Sequence, residues 1–534
     1  MGGWNVKYTR WGNDISEAKC AVVGEVPCTW RIYCSYEKSV HHQYMVKSFQ
    51  EEHSCTSCKL LTDSVIGRLL INEVRHDNAL MPRAIQDIIQ ERYNLTVTHD
   101  IARKARKRAL DMISEEFDEQ FARIKDYKEQ ILESNPESMV DLVTTIRDDG
   151  VEIFDKFYVC FKALKTIWRA YCRTIFRIDG CFMKSTSKGQ LLAAVGRDAN
   201  NQIYPVAWEI VQVEDADNWK WFIQRVKSDL DLKNGEGFTL ISDKQKGLIK
   251  AVEEEFPHIK HRTCTRHIYG NIKKLHPNKP KFKHLFWAVA NSFNEVDYKA
   301  ALKELKAFDS QIYDDLMVRD PTSCTHAFFS TTSSCEDGLN NFSESYNSGL
   351  KKSRSLPLVG MLETMRRQAM VRIKVRKKKL VKYEAKYSLK VAKTIAEETK
   401  NRKWCKKRTL GPNGVSEVEE NSTSHTVNMD RRTCTCRRWD LTGIPCRHAL
   451  KVIQDKKLNA ENFVADCYLT TLWKQQYSDS VTLVEGMKFW KEAYGSQIQP
   501  PARPDEKGRK SRIQRRGRNR FMSLLLKGRK FVNI

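Results

Sequence analysis

The feature that most constrains this chain is a repeated spacing near its carboxyl end, in RRTCTCRRWDLTGIPCRHAL. One residue separates Cys434 from Cys436, nine follow, and Cys446 and His448 then repeat the first spacing. Three thiolates and an imidazole supply the four ligands of a closed tetrahedral Zn2+ site. An ion of this kind gives a short β-rich segment a metal core in place of an apolar one. Gly443 and Pro445 are expected to form the turn that returns the second pair, with His448 opening a helix over HALKVIQ. The competing reading is a set of ordinary buried cysteines in a reduced protein.

Composition fits a reduced, multidomain protein with an anionic partner. The 534 residues are 41% apolar, enough for several domains with at least one sizeable core. Lys plus Arg outnumber Asp plus Glu by 92 to 66, a net charge of +26 that favours an anionic partner, either nucleic acid, double-stranded DNA included, or an acidic membrane. No run approaches the ~18 apolar residues of a membrane helix, so no membrane partner is expected. The start, MGGWNVKYTRWGND, lacks a signal-peptide core, and Val6 stands where a myristoylation signal favours a small hydroxyl residue. Sixteen cysteines without a secretory signal argue against a disulfide framework, and several lie close to histidines, which points to metal.

Periodicity divides the chain. Residues 1–62 alternate β-favouring pieces such as TWRIYCSY and QYMVKSF with polar turns, and 63–138 read as a helical connecting region. An α/β domain is expected over 139–398, with helical stretches over 281–320 and from about 338 to 399. Its strands are RTIFRID, QLLAAVGRD, QIYPVAWEI and GFTLISD, and DNWKWFIQRVKSDL is an amphipathic helix. Within this region MRRQAMVRIKVRKKKLVK reads equally as a packing helix or as a DNA-facing one. Residues 399–423, with Gly-Pro-Asn-Gly, read as a linker or surface turn, 424–457 as the Cys/His module, and 458–498 as a helical region. The segment 499–534 is a basic tail too poor in apolar residues to fold alone, suited to nuclear localisation, non-specific nucleic-acid binding or solubility.

Two further constellations carry chemistry. Cys20, Cys28, His53 and Cys55 can close around a second Zn2+, with Cys34 and Cys58 as competing ligands. Asp179 and Asp243 each end a strand-like run, and neighbouring strand ends can place two carboxylates together; Glu344, in LNNFSESYNSGL, can join them from a helix. Three carboxylates around two Mg2+ or Mn2+ ions suffice for phosphoryl transfer. For any one of the 66 acidic residues, the plain alternative is a solvated surface carboxylate.

The motifs IDGCFMKS, GQLLAAVGRDANNQIYPVAW, DNWKWF, LISDKQKGL and FFSTTSSCEDGLNNFSESYNS resemble the plant Mutator-like (MuDR/MULE) transposase family, which includes the related far-red-impaired-type regulators. The resemblance covers roughly residues 15–480. It implies an RNase H-like mixed sheet with a helical insertion between the second and third acids, and Asp179, Asp243 and Glu344 as catalytic metal ligands. The N-terminal Cys/His set, with Trp30 beside Cys28, is similar to a WRKY or GCM-type zinc domain, and leading sequence is expected upstream of it. The C-terminal module resembles a SWIM-type zinc finger, whose zinc is structural and whose surface binds DNA or a protein partner. Cys264 and His267 match the family's Cys-x-x-His feature, where a structural or DNA-positioning role is expected; His261 is a third candidate ligand, and packed, hydrogen-bonded side chains are the alternative.

Two positions depart from the family pattern. Ser185 stands where Gly is common, and Glu209 places a charge after Trp208 that either perturbs a sheet face or helps bind metal. The resemblance implies a nuclear transposase that cleaves at terminal inverted repeats and transfers the strand, working as a homo-oligomer on paired ends. The alternatives are a domesticated, catalytically silent DNA-binding regulator and a protein-interaction scaffold that uses its SWIM-type surface.

Overall fold

The computed structural model describes residues 6–21, 27–37, 43–52, 62–77, 79–93, 95–184, 189–279, 281–338, 341–410 and 414–501, with the side chains of 341–344 and 408–410 outside the description. The chain divides into two units, Met1–Glu119 with Ser355–Pro357, and Gln120–Arg354 with Leu358–Ile534.

The first unit opens with four strands, β1 (Val6–Trp11), β2 (Ile15–Cys20), β3 (Arg31–Glu37) and β4 (Gln43–Gln50), paired antiparallel in chain order. Thr62 then caps α1 (Asp63–Leu69) by accepting from the Val65 amide, and α2 (Ile71–His76), α3 (Pro82–Tyr93) and the long α4 (His99–Ala122) follow. Ile66, Leu70, Ile85, Ile89, Ala102 and Ala105 form their core. The small sheet and the helical region therefore match the periodicity of the sequence.

The second unit begins with α5 (Ile124–Ser134) and is built on a seven-stranded mixed sheet. Its strands are β5 (Met139–Ile146), β6 (Glu152–Cys160), β7 (Ile175–Phe182), β8 (Gln190–Arg197), β9 (Ile203–Val211), β10 (Thr239–Ser242) and β11 (Lys260–Thr263), in the order β11-β10-β7-β8-β9-β6-β5. The strands β7, β8 and β9 form an antiparallel meander, to which β10 and β11 add in parallel on the β7 side. That is the strand order of an RNase H-like sheet, and the β5–β6 hairpin extends it beyond β9. Helix α6 (Lys162–Tyr171) joins β6 to β7, and α7 (Ala216–Leu230) and α8 (Lys246–Glu255) supply the crossovers to the parallel strands β10 and β11. Asp215 caps α7 by accepting from Asn218, and Gln245 caps α8 by accepting from Leu248, so both turns end where the sheet delivers its acidic residues.

After β11 come α9 (Thr265–Leu275), α10 (Phe282–Ala290), α11 (Glu295–Phe308) and α12 (Ser310–Met317), the expected helical insertion, with a core of Ile268, Ile272, Phe282, Phe286, Leu305 and Ile312. The return segment is locked to the sheet by Asp337, which pairs with Arg177 at 3.1 Å and Arg197 at 2.5 Å. Helices α13 (Asn341–Gly349), α14 (Leu358–Val381) and α15 (Leu389–Asn401) follow.

Two expectations need correction. Residues 399–423 are not a linker: β12 (Cys405–Leu410) and β13 (Val415–Glu420) pair with β14 (Thr423–Asn428) and β15 (Thr433–Cys434) in a four-stranded antiparallel sheet. The alternation in VSEVEE buries Ser416 and Val418 on one face, and its polar residues belong to the other. The region 458–498 is mostly not helical. Its one α-helix is α18 (Thr470–Gln475), which comes after α16 (Arg438–Thr442) and α17 (Arg447–Asp455) of the Cys/His module. Beyond it the chain is pinned by irregularly spaced buried side chains, Tyr477, Val481, Trp490 and Ile498, and Gln499 bridges to Ile153.

Candidate functional site

Parallel pairing of β7 with β10 brings their carboxyl ends side by side, the position at which open α/β sheets bind ligands. Asp179 lies within β7, which continues three residues further than the sequence suggests, and Asp243 follows directly on β10. Both line one cleft of about 410 Å3, together with His267, Asn347, Lys351 and Arg354. Asn347 Nδ2 donates to Asp179 Oδ2 at 2.8 Å, and Trp208 Nε1 donates to Tyr346 Oη at 2.6 Å, so α13 is seated on the Asp179 face of the sheet. Position 344 lies one turn before Asn347 on this helix, on the same helical face. The Glu344 side chain is outside the described residues.

A carboxylate overlooked in the sequence adjoins this cleft. A Cβ on Gly180 would lie 3.1 Å from the Glu214 carboxyl carbon, so glycine beside Asp179 leaves room for that group. Trp219 Nε1 donates to Glu214 Oε1 at 3.3 Å, and Gln245, two residues past Asp243, donates to the Glu214 carbonyl at 3.4 Å. Burial first, and the neighbouring Asp243 charge second, raise the Glu214 carboxyl above its usual range. One acid in a run such as VQVEDAD has no spacing to mark it; only the fold of the turn reveals it.

Of the two readings of Glu209, its position favours the burdened sheet face over a place in the acidic cleft. In the sheet, Trp208 lies opposite Ala193 and Ala193 opposite Asp179, whereas Glu209 pairs with Leu192 and Tyr158. Successive residues face opposite sides, so Glu209 points away from the Asp179 face. It is 0% exposed, neither oxygen has a hydrogen-bond partner, and burial pushes its carboxyl well above the usual range.

The Cys-x-x-His pair separates. Cys264 caps α9 and is fully buried, while His267 lines the acidic cleft with its Nδ1 buried and unpartnered. His261 instead binds Ser242 Oγ at 2.8 Å, and burial lowers its pKa to about 4. Among the described residues these three form no metal-binding group.

The C-terminal ligands do converge: one ligand atom from each of Cys434, Cys436, Cys446 and His448 lies within 4.8 Å of the others. β15 delivers Cys434; Gly443, at φ +71°, ends α16; and Cys446 caps α17, which carries His448 in its first turn. His448 Nδ1 faces the thiols, 3.6 Å from Cys434 Sγ and 3.9 Å from Cys446 Sγ. Its Nε2 meets Glu420 Oε2 at 3.0 Å, and Arg447 holds the same carboxylate at 2.9 Å. Hydrogen bonds from Cys434, then Cys446, hold the Cys436 thiol well below its usual range, the state in which sulfur binds metal. Three sulfurs and a nitrogen fit zinc. Glu420, from the supposed linker, is the orienting carboxylate that the motif alone does not reveal.

Cys20 ends β2 and is buried, and Cys28 is half-buried, but His53, Cys55, Cys58 and Ser185 lie outside the described residues. Among the described residues no helix is long and apolar enough to cross a membrane.

An RNase H-like sheet with acids at its strand ends is thus joined in one chain to a Cys3His cluster able to hold a metal ion. Residues 175–271 match the MULE transposase domain and residues 425–457 the SWIM zinc finger. The chain carries both modules, which together match the Mutator-like (MuDR/MULE) assignment. No curated protein matches the chain.

Proposed function

We propose that this chain is a nuclear DNA-binding transposase that cleaves and joins DNA at terminal inverted repeats through the acidic cleft. The observation that carries the reading is the shared cleft of Asp179 and Asp243, roofed by the helix that bears position 344. Carboxylate oxygens and the unpartnered Asn347 Oδ1 make a donor set suited to a hard cation. When bound, Mg2+ or Mn2+ supplies positive charge to the attacking and leaving oxygens of a phosphodiester. Asp179, Asp243 and Glu344 would hold it. Lys351 and Arg354, at the rim, attract the DNA backbone, with Arg354 braced by its bonds to the Phe182 and Asn347 carbonyls. His267 faces the cleft, where it can position a phosphate.

The C-terminal ligands hold a structural zinc, and Cys20, Cys28, His53 and Cys55 a second one in the DNA-recognition domain. The SWIM-type surface serves DNA or a protein partner, and paired ends call for a homo-oligomer. Cleavage and strand transfer on DNA carrying the element's terminal repeats, with Mg2+ or Mn2+, test the reading. Activity in the native protein that is lost in Asp243→Asn supports it. Specific binding without cleavage in either protein turns the assignment to a domesticated regulator, and absence of specific binding to a scaffold.

A further inference from the structure

We infer that Asn347 is itself a ligand of the divalent cation in the acidic cleft, contributing a neutral oxygen beside the carboxylates. This rests on the strand-transfer reading. Only the amide nitrogen can donate to a carboxylate, so the 2.8 Å bond from Asn347 Nδ2 to Asp179 Oδ2 fixes the orientation of the amide and identifies the remaining atom as oxygen. The residue is 8% exposed, and Oδ1 is buried without a partner in the protein. The guanidinium that shares the cleft does not serve it: Arg354 donates to the Phe182 and Asn347 main-chain carbonyls.

A buried acceptor without a donor is costly, and native structures retain one where something else satisfies it. Here the residue that carries the acceptor lines the same cleft as Asp179 and Asp243, and Mg2+, Mn2+ and Ca2+ all accept amide oxygens alongside carboxylates. An amide also adds a ligand without adding negative charge, which favours the approach of an anionic phosphodiester. The bond to Asp179 then couples the two ligands, each holding the other in place.

Mn2+ titration of the full-length, zinc-loaded, DNA-free protein, with free Mn2+ read by electron paramagnetic resonance, tests the inference. Asn347→Leu, or Asn347→Ala if the larger side chain does not pack, is expected to weaken Mn2+ binding on the order of tenfold or more while the metal-free melting temperature stays near native. Asn347→Asp keeps an oxygen but loses the amide donor, and is expected to bind Mn2+ at least as tightly as the native protein. Native affinity in the Leu and Ala variants overturns the inference. So does equal weakening in Asn347→Asp, which would make Asn347 a positioner of Asp179 only. Asp243→Asn in the same titration separates the two levels: if it loses Mn2+ while Asn347→Leu does not, the ligand assignment alone fails. If Asp243→Asn also binds normally, the cleft is not the cation site and the strand-transfer reading fails with it.

Discussion

Glu209 shows how one residue's meaning depends on the face it occupies. Next to Trp208 in sequence, it is within one position of the Asp179 side of the sheet, yet strand alternation turns it into the opposite layer, where its carboxyl is buried without a partner. Burial raises its folded-state pKa, so the folded protein binds a proton that the unfolded chain releases above about pH 4.3. The associated stability is present in full below that pH and is lost as pH rises toward the folded value, by about 1.4 kcal/mol per pH unit across the window. Glu209→Gln removes the titration and keeps the shape. Thermal melts should show the variant gaining stability over the native protein between pH 5 and pH 8; a difference that does not change with pH would mean that Glu209 is not held neutral. The sequence marked Glu209 as unusual but could not choose its face, because a one-residue step reverses the side on which every neighbour lies. Asp179 and Asp243 could be picked out because each ends a strand-like run inside a motif, IDGCFMKS or LISDKQKGL, that resembles the family; the strand end alone does not separate them from other acids. Glu214 and Asn347 could not be, since their significance comes from a glycine's missing side chain and from a helix docked from far along the chain.

At the scale of elements, long periodic segments were readable and polar strands were not. The meander β7–β9, the amphipathic α7 and the helices of the insertion follow from their apolar spacing. β12 and β13 do not, because polar strands with one thin buried face, in a stretch whose sequence includes Gly-Pro-Asn-Gly, have the composition of a linker. Their cost to the reading was Glu420, which reaches His448 Nε2 from the end of β13. A carboxylate at this position fixes the imidazole so that Nδ1 faces the thiols, and loss of such a partner typically weakens metal binding 10- to 100-fold, roughly. Glu420→Ala should therefore release zinc to a competing chelator at a correspondingly lower chelator concentration, with the four ligands untouched. Unchanged retention would show that packing alone, including the His425 ring stacked on His448 at 4.0 Å, orients the ligand.

For the whole molecule, the net charge of +26 favours a polyanionic partner but does not say which surface would meet it. The α14 helix, which the sequence left open between packing and DNA contact, packs on one side and presents an exposed basic side on the other. Leu358, Met361, Leu362, Met365, Ala369 and Ile373 are buried, and Arg376 is committed to the fold through the Ile203 carbonyl and the Tyr477 hydroxyl. Lys374 and Lys378, one turn apart, are exposed on the outer side. If that side tracks DNA phosphates, each lysine displaces about one condensed counterion, and the slope of log affinity against log salt should fall by about 1 for each one removed. A Lys374→Ala, Lys378→Ala double variant is thus expected to bind specific and non-specific duplexes more weakly by similar factors, with a slope smaller by about 2. Arg376→Ala is expected instead to lower the melting temperature, because it removes contacts within the fold. Equilibrium binding across a salt series distinguishes the two sides of the helix: a double variant whose slope equals that of the native protein would move the DNA path off α14 and leave the cleft rim, at Lys351 and Arg354, as the stronger candidate for backbone contact.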